Sequence, residues 1–133
     1  MRRLLYLTGA AIYMAGNRMY TQEMTTEDLC TTVLPKTMRI MSYNGGSIHS
    51  IATGFFIKEN GTALTVAHAV NPGLRILARL EDGRTYDCEV LNSHPLTDIA
   101  MIKVKGVGKV DPLPLANSDT VRRGQQVLHV GNV

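Results

Sequence analysis

The chain has 133 residues, which suits one domain and is short for two large ones. Hydrophobic residues make up 44% of it and charged residues 19%, a balance that can bury a core and argues against wholesale disorder. The net charge of +3 comes from lysines and arginines spread along the chain. Since nucleic-acid binding requires a clustered basic face, we predict no nucleic-acid partner.

The N-terminal residues have the pattern of an export signal. Arg2 and Arg3 precede an uncharged apolar run, LLYLTGAAIYMAG (4–16), which is short for a membrane span of about 20 residues. The small-residue pair of a cleavage site is missing after it. A cleaved signal, an uncleaved membrane anchor and a plain N-terminal helix remain alternatives. We assign residues 1–22 to a signal-like or anchor leader with its linker, and predict a secreted or periplasmic protein, with membrane anchoring as a variant.

The next segment, TTEDLCTTVLP (25–35), predicts one short helix. Thr25 or Thr26 can cap its N-terminus, acidic residues follow in the first turn, and Pro35 ends it.

From Thr37 onward, short runs rich in apolar and β-branched residues alternate with Asn-Gly, Asp-Gly and Pro-Gly turns. Such runs predict hairpins, and their spacing predicts a small all-β barrel or sandwich. Several runs, such as ALTVA and IAMI, are almost continuously apolar, which is typical of strands that close a tight barrel or are buried on both faces. The predicted strands are 37–43, 52–58, 62–70, 74–80, 84–91, 98–104 and 125–130.

The two cysteines, Cys30 and Cys88, are compatible with free thiols or with one disulfide. A metal site is a weaker alternative because no Cys-x-x-Cys or paired-histidine spacing is present. We predict no metal and no cofactor.

His68, in LTVAHAV (64–70), is the first candidate for chemistry. It could be a core histidine, a metal ligand or a general base. A base needs a nucleophile near one ring nitrogen and an orienting acceptor, usually a carboxylate, near the other. Asp98 precedes the apolar run IAMIKV, where a partly buried carboxylate with a partner would fit. The competing interpretation of Asp98 is a turn residue at the start of a strand.

The sequence resembles trypsin-like serine proteases of the HtrA/DegP group, in their N-terminal half. The resemblance covers roughly residues 33–132 and depends on four segments in order, with the spacing of that group. These are VLPKTMRI (33–40), ATGFFIKENGTALTVAHAV (52–70), ILARLEDGRTYDCEVLNSHPLTDIAMIKV (76–104) and LPLANSDTVRRGQQVLHVGN (113–132).

The resemblance implies an all-β fold: a six-stranded antiparallel barrel over residues 23–133, the first barrel of the trypsin-like two-barrel fold, preceded by a helical leader. The second barrel is absent from these 133 residues. The resemblance also implies His68 as general base and Asp98 as the acid that fixes its tautomer. The expected function is that of a serine-type endopeptidase of protein quality control, with unfolded or exposed protein segments as substrate.

The serine of such a triad follows the acid along the chain. The single serine after Asp98 is Ser118, which matches a surface Ser-Asp turn of the group, and Ser47 precedes His68. The oxyanion hole and the specificity pocket also belong to the second barrel. We therefore expect this polypeptide to be inactive alone. The alternatives are a non-catalytic pseudoprotease fragment and a binding module that pairs with a separate second barrel or with copies of itself. We interpret His94 as a surface residue.

Overall fold

The computed structural model describes residues 25–132, together with the backbone of strands within 4–7, 10–15 and 18–23. The molecule divides into two compact units: residues 1–32 with 117–129, and residues 33–116 with 130–133.

The first unit contains a three-stranded antiparallel sheet in the order β1-β2-β3. Its strands are β1 (Leu4–Leu7), β2 (Ala10–Ala15) and β3 (Arg18–Glu23). The expectation of a helical leader was therefore wrong for these three segments, and the first described helix begins at Thr26. Gly9 and Gly16 interrupt this stretch of sequence, and each glycine disfavours a helix interior by about 1 kcal/mol relative to alanine.

The predicted role of residues 1–22 as a signal or anchor depends on side chains outside the described residues, and it stays a prediction. Within the described part of the protein, no helix is long and apolar enough to cross a membrane.

The helix α1 (Thr26–Val33) has the cap that the sequence predicts. The Asp28 N–H donates to Thr25 Oγ1 at 3.1 Å, and the Thr25 N–H donates to Asp28 Oδ2 at 2.9 Å. This reciprocal pair satisfies two N-terminal N–H groups, and it holds the pKa of Asp28 below its usual value. A 3₁₀ turn, Leu34–Lys36, replaces the helix at Pro35, which cannot donate a helical hydrogen bond.

The second unit is a closed six-stranded antiparallel barrel, which confirms the predicted fold. The strands follow the order β4-β5-β6-β9-β8-β7 around the ring, and β7 pairs with β4 to close it. They are β4 (Thr37–Asn44), β5 (Ser47–Phe56), β6 (Thr62–Val66), β7 (Arg75–Leu80), β8 (Thr85–His94) and β9 (Ile99–Val104).

Large and small side chains alternate across the barrel interior. Ile102 lies opposite Ala63, and Ile40 lies opposite Ala78 on one side and Ala52 on the other. Both isoleucines are completely buried. Because a six-stranded barrel has a narrow interior, each large residue needs a small neighbour to fit. Truncation of Ile40 or Ile102 to alanine should therefore cost about 2–5 kcal/mol.

Two of the strand predictions need correction: one predicted strand ends earlier than expected, and another does not form. The run at 62–70 is a strand only to Val66, because the backbone turns into a 3₁₀ turn at Ala67–Ala69. The run at 125–130 forms no strand in the described structure, and Val127 is 83% exposed. A strand needs a neighbour for its backbone hydrogen bonds, and the described residues supply none here.

Candidate active site

Neighbouring strands bring His68 and Asp98 to the same edge of the barrel. Strands β6 and β9 are antiparallel, and Val66 lies opposite Ile99. The end of β6 therefore adjoins the start of β9. His68 follows Val66 by two residues, and Asp98 directly precedes Ile99, so the two residues that the sequence analysis selected come together.

The Asp98 carboxylate is joined to His68 by two hydrogen bonds, one to the imidazole and one from the main chain. His68 Nδ1 lies 2.7 Å from Asp98 Oδ2, and the His68 main-chain N–H donates to Asp98 Oδ1 at 2.9 Å. A third contact ties the backbones together, since the Ala67 N–H donates to the Asp98 carbonyl at 3.1 Å. Both carboxylate oxygens thus hold the same residue, which fixes the imidazole relative to the acid.

The 3₁₀ turn Ala67–Ala69 presents His68 outward. Ala67 and Ala69 are buried in the core on either side of it, whereas the His68 side chain is 71% exposed. The Val70 N–H closes the turn on the Ala67 carbonyl at 3.1 Å. Two buried methyl groups therefore anchor a turn whose central side chain faces solvent.

Asp98 adopts a backbone conformation that residues with side chains rarely take. Its φ is +55°, and it is the single non-glycine residue with positive φ in the described part of the protein. The Asp98 N–H donates to the Pro95 carbonyl at 3.2 Å, and the Thr97 N–H donates to the His94 carbonyl at 3.2 Å. This tight turn holds the left-handed residue in place. Such strain is concentrated at functional sites.

The hydrogen bonds set the ionisation state of the acid. The His68 main-chain N–H, and then the imidazole, hold the pKa of Asp98 below its usual value. At neutral pH the carboxylate is ionised and can only accept, so the proton between the two side chains belongs to Nδ1. When the imidazole is neutral, His68 Nε2 is then left with a lone pair, which is the state that a general base requires.

The pair contributes little to stability. Asp98 is 46% exposed and His68 71%, and solvent screens most of the attraction between groups as exposed as these. A strained acid that orients an exposed imidazole is therefore better explained by chemistry than by folding.

The candidate serines are not part of this arrangement in the described structure. Ser47 is exposed at the start of β5, and no hydrogen bond joins it to His68. Ser118 begins the 3₁₀ turn Ser118–Thr120, capped by the Asn117 side chain. His94 is exposed, as expected, and its Nδ1 lies 2.8 Å from Thr97 Oγ1.

Sequence reasoning selected both side chains but missed the main-chain part of the site. The N–H groups of Ala67 and His68, and the left-handed turn at Asp98, leave no signal in residue types alone. The described residues contain no cluster of three or more His, Cys, Asp or Glu side chains that could hold a metal ion. Both cysteines are free thiols.

A family model described as the trypsin-like peptidase domain matches residues 52–133, which include both His68 and Asp98. The chain belongs to this family. The resemblance to the HtrA group is also confirmed by relatives named for it. Residues of this chain are 38% identical over 80 positions to serine protease HTRA1 of Xenopus laevis, covering 60% of this chain and 17% of the relative.

Two further relatives are similar over a comparable stretch. Serine endoprotease DegS of Salmonella typhimurium is 28% identical over 100 residues, covering 75% of this chain and 28% of the relative. The probable periplasmic serine endoprotease DegP-like of Buchnera aphidicola is 31% identical over 85 residues, covering 63% and 18%. The matched part thus spans between 17% and 28% of the length of these three relatives.

Proposed function

We propose that this chain supplies the general base and the orienting acid of an HtrA-type serine endopeptidase. The observation that carries the proposal is that two hydrogen bonds join His68 to Asp98, one of them at Nδ1, while no described residue bonds to Nε2. In that reaction His68 takes the proton of a serine hydroxyl as it attacks a peptide carbonyl, then gives the proton to the leaving amine. Asp98 stabilises the imidazolium formed between those two steps.

We further propose that residues 1–133 alone do not complete the reaction. Neither Ser47 nor Ser118 lies in a Gly-x-Ser-Gly-Gly sequence, and these residues offer no such motif elsewhere. The base and acid of the triad would then act on a serine supplied by another segment, with its oxyanion hole.

The experiment compares the 133-residue chain with the product of the longest reading frame that contains it. The short chain should not react with a fluorophosphonate probe and should not cleave casein. The longer product should do both, and in it H68A and D98N should each lower kcat by about 10⁴-fold or more. His49→Ala is the matched control, since His49 is exposed on β5 and lies outside the turn that holds Asp98. Stoichiometric labelling of the short chain would contradict the proposed inactivity, and activity retained in H68A would contradict the role of His68.

We propose unfolded or exposed protein segments as substrates and a periplasmic or secreted location. The support is the family, together with the name of a relative described as periplasmic. Fusion of residues 1–22 to an alkaline phosphatase that lacks its own signal tests the location. Phosphatase activity in the periplasm supports export, and activity confined to unexported protein contradicts it.

A non-catalytic binding role is a second candidate, favoured by apolar side chains beside the acid. Leu96 is 94% exposed and Ile99 is 50% exposed, and both lie within two residues of Asp98 in the sequence. If no longer product exists and the short chain binds unfolded casein with H68A unchanged in affinity, the binding role is supported and the catalytic role is not.

A further inference from the structure

Arg39 and Arg79 lie directly opposite each other on the wall of the barrel away from the candidate active site. Arg39 belongs to β4 and Arg79 to β7, and the antiparallel register pairs them. In the six-strand ring, β4 is opposite β9 and β7 is opposite β6. The arginine pair is therefore separated by the barrel from His68 and Asp98.

Both arginines are on the outer face of the sheet. Their sequence neighbours Met38, Ile40 and Ala78 are completely buried, and side chains alternate along a strand. Two like charges directly opposite on adjacent strands destabilise a sheet unless something neutralises them.

The part of the protein that the structure describes offers this pair no acidic partner. Among the described residues, neither Arg39 nor Arg79 has a carboxylate within ion-pair distance. Arg75 of the same strand β7 differs from Arg79 in this respect, because its Nε lies 3.1 Å from Asp87 Oδ1. The sheet thus carries two adjacent positive charges that an external anion would stabilise.

The two arginines line a cleft of about 460 Å³. One wall is Asn132, whose N–H donates to Thr53 Oγ1 at 3.0 Å and whose Nδ2 donates to Thr37 Oγ1 at 3.4 Å. Thr53 is the partner of Arg39 on β5. Thr53, Arg39 and Arg79 therefore follow one another across three strands, and the hydrogen bond to Thr53 holds Asn132 beside the two arginines.

The other lining residues restrict what kind of anion fits. Leu34 and Leu80 give the cleft an apolar side, and Glu81 also lines it. Two arginines and one glutamate leave a single net positive charge, which suits one carboxylate better than a phosphate carrying nearly two charges. Guanidinium groups bind carboxylates through paired, charge-assisted hydrogen bonds.

We propose that this cleft binds a carboxylate of a protein segment that carries an apolar side chain beside it. The carboxylate contacts Arg39 and Arg79, and the apolar group packs against Leu34 and Leu80. The carboxylate can come from the C-terminus of a polypeptide or from an Asp or Glu side chain, and the test separates these two sources.

The test is a titration of the ¹⁵N-labelled protein, followed by NMR at the Nε–H groups of Arg39 and Arg79. The protein is extended by Gly-Ser-Gly after Val133, because a free carboxylate one residue beyond Asn132 would compete. The probes are acetyl-Gly-Leu with a free carboxylate, acetyl-Glu-Leu amide, acetyl-Gly-Leu amide and inorganic phosphate.

Saturable shifts at both arginines are expected with a carboxylate probe, with the neutral amide about tenfold weaker or worse. Tighter binding of acetyl-Gly-Leu identifies a polypeptide terminus as the source, and tighter binding of acetyl-Glu-Leu amide identifies an acidic side chain. The proposal is overturned if neither carboxylate probe shifts the arginines, if the neutral amide binds equally well, or if phosphate binds more tightly than both carboxylates.

Variants separate the cleft from general surface charge. R39Q and R79Q should each weaken the carboxylate probe about tenfold, and E81Q should strengthen it. R75Q is the matched control on the outer face of β7 and should leave the affinity unchanged. Without peptide, R39Q and R79Q should melt at or above the midpoint of the parent protein, because the like-charge repulsion is gone. An equal loss of affinity in R75Q and R79Q would overturn the site.

Discussion

Val66 of β6 lies directly opposite Ile99 of β9, and this pairing places His68 and Asp98 in one site. The histidine leaves the barrel two residues after Val66, and the aspartate enters it one residue before Ile99. Because side chains alternate between the faces of a sheet, a register slip of one residue would turn every side chain of β6 to the other face. The geometry of the pair therefore depends on the packing of Ala63 and Ile102 further along the same two strands.

The tautomer of His68 is the most direct prediction from the site. Since Asp98 accepts from Nδ1, neutral His68 should carry its proton on Nδ1 and leave Nε2 unprotonated. The ¹⁵N chemical shifts of the ring, measured above about pH 8, distinguish the two tautomers. In D98N the preference should fall, because an amide can donate as well as accept. A parent protein with its proton mainly on Nε2 would contradict the assignment.

The low pKa of Asp98 predicts a loss of stability in acid. Hydrogen bonds from His68 lower the pKa in the folded protein, so the ionised carboxylate stabilises the fold above the ordinary value of about 3.9. This contribution disappears as the pH falls through the folded-state value. Thermal midpoints of the parent protein should therefore drop more steeply below about pH 4 than those of D98N.

Asp82 provides a comparison for that measurement. Its pKa is also lowered, chiefly by a hydrogen bond from the Arg84 side chain. The thermal midpoint of D82N should therefore also fall less steeply in acid than that of the parent protein. Parallel curves for the parent protein and D98N would show that Asp98 is not coupled to folding.

Cys88 should be an unreactive thiol while the barrel is folded. Burial raises its pKa to about 12, which makes the thiolate at neutral pH roughly a thousandfold rarer than in an ordinary cysteine. In a C30S variant, the reaction with DTNB should be at least about a hundredfold slower in buffer than in guanidinium chloride. Rates within about tenfold of each other would contradict the burial of this side chain.

Gly61 should tolerate alanine much less well than Gly73. Both have positive φ, +86° and +88°, but a Cβ at Gly61 would lie 2.8 Å from Val107 Cγ1 and 3.0 Å from the Val104 carbonyl oxygen. A Cβ at Gly73 would meet nothing within 4 Å.

G73A should therefore lower the free energy of unfolding by about 1–2 kcal/mol, because alanine is strained at positive φ. G61A should lower it by about 1–3 kcal/mol more, because its Cβ would overlap Val107 and Val104. Urea denaturation with equal m-values measures both. Equal losses of stability in the two variants would mean that Val107 moves aside and relieves the overlap.

Several features could be predicted because their signals are local. Tyr86, Cys88 and Val90 alternate with more polar residues along β8, and these three are the half-buried residues of the strand. Thr25 indicated the helix cap. His68 and Asp98 could be selected since a base and an acid each follow or precede an apolar strand. The strand at 125–130 was predicted wrongly because periodicity reports which face a run could bury, and does not report whether a neighbour exists.

The sequence by itself determined most of the strands, their turns and the two residue types that suit a proton transfer. The tertiary structure alone decided that β4 closes on β7, that Val66 meets Ile99, that Asp98 is left-handed and that Arg39 opposes Arg79. The physical reason is that propensity and alternation depend on neighbours within a few residues. Strand register depends instead on which large and small side chains fit together inside the barrel, and those side chains are distant in the sequence.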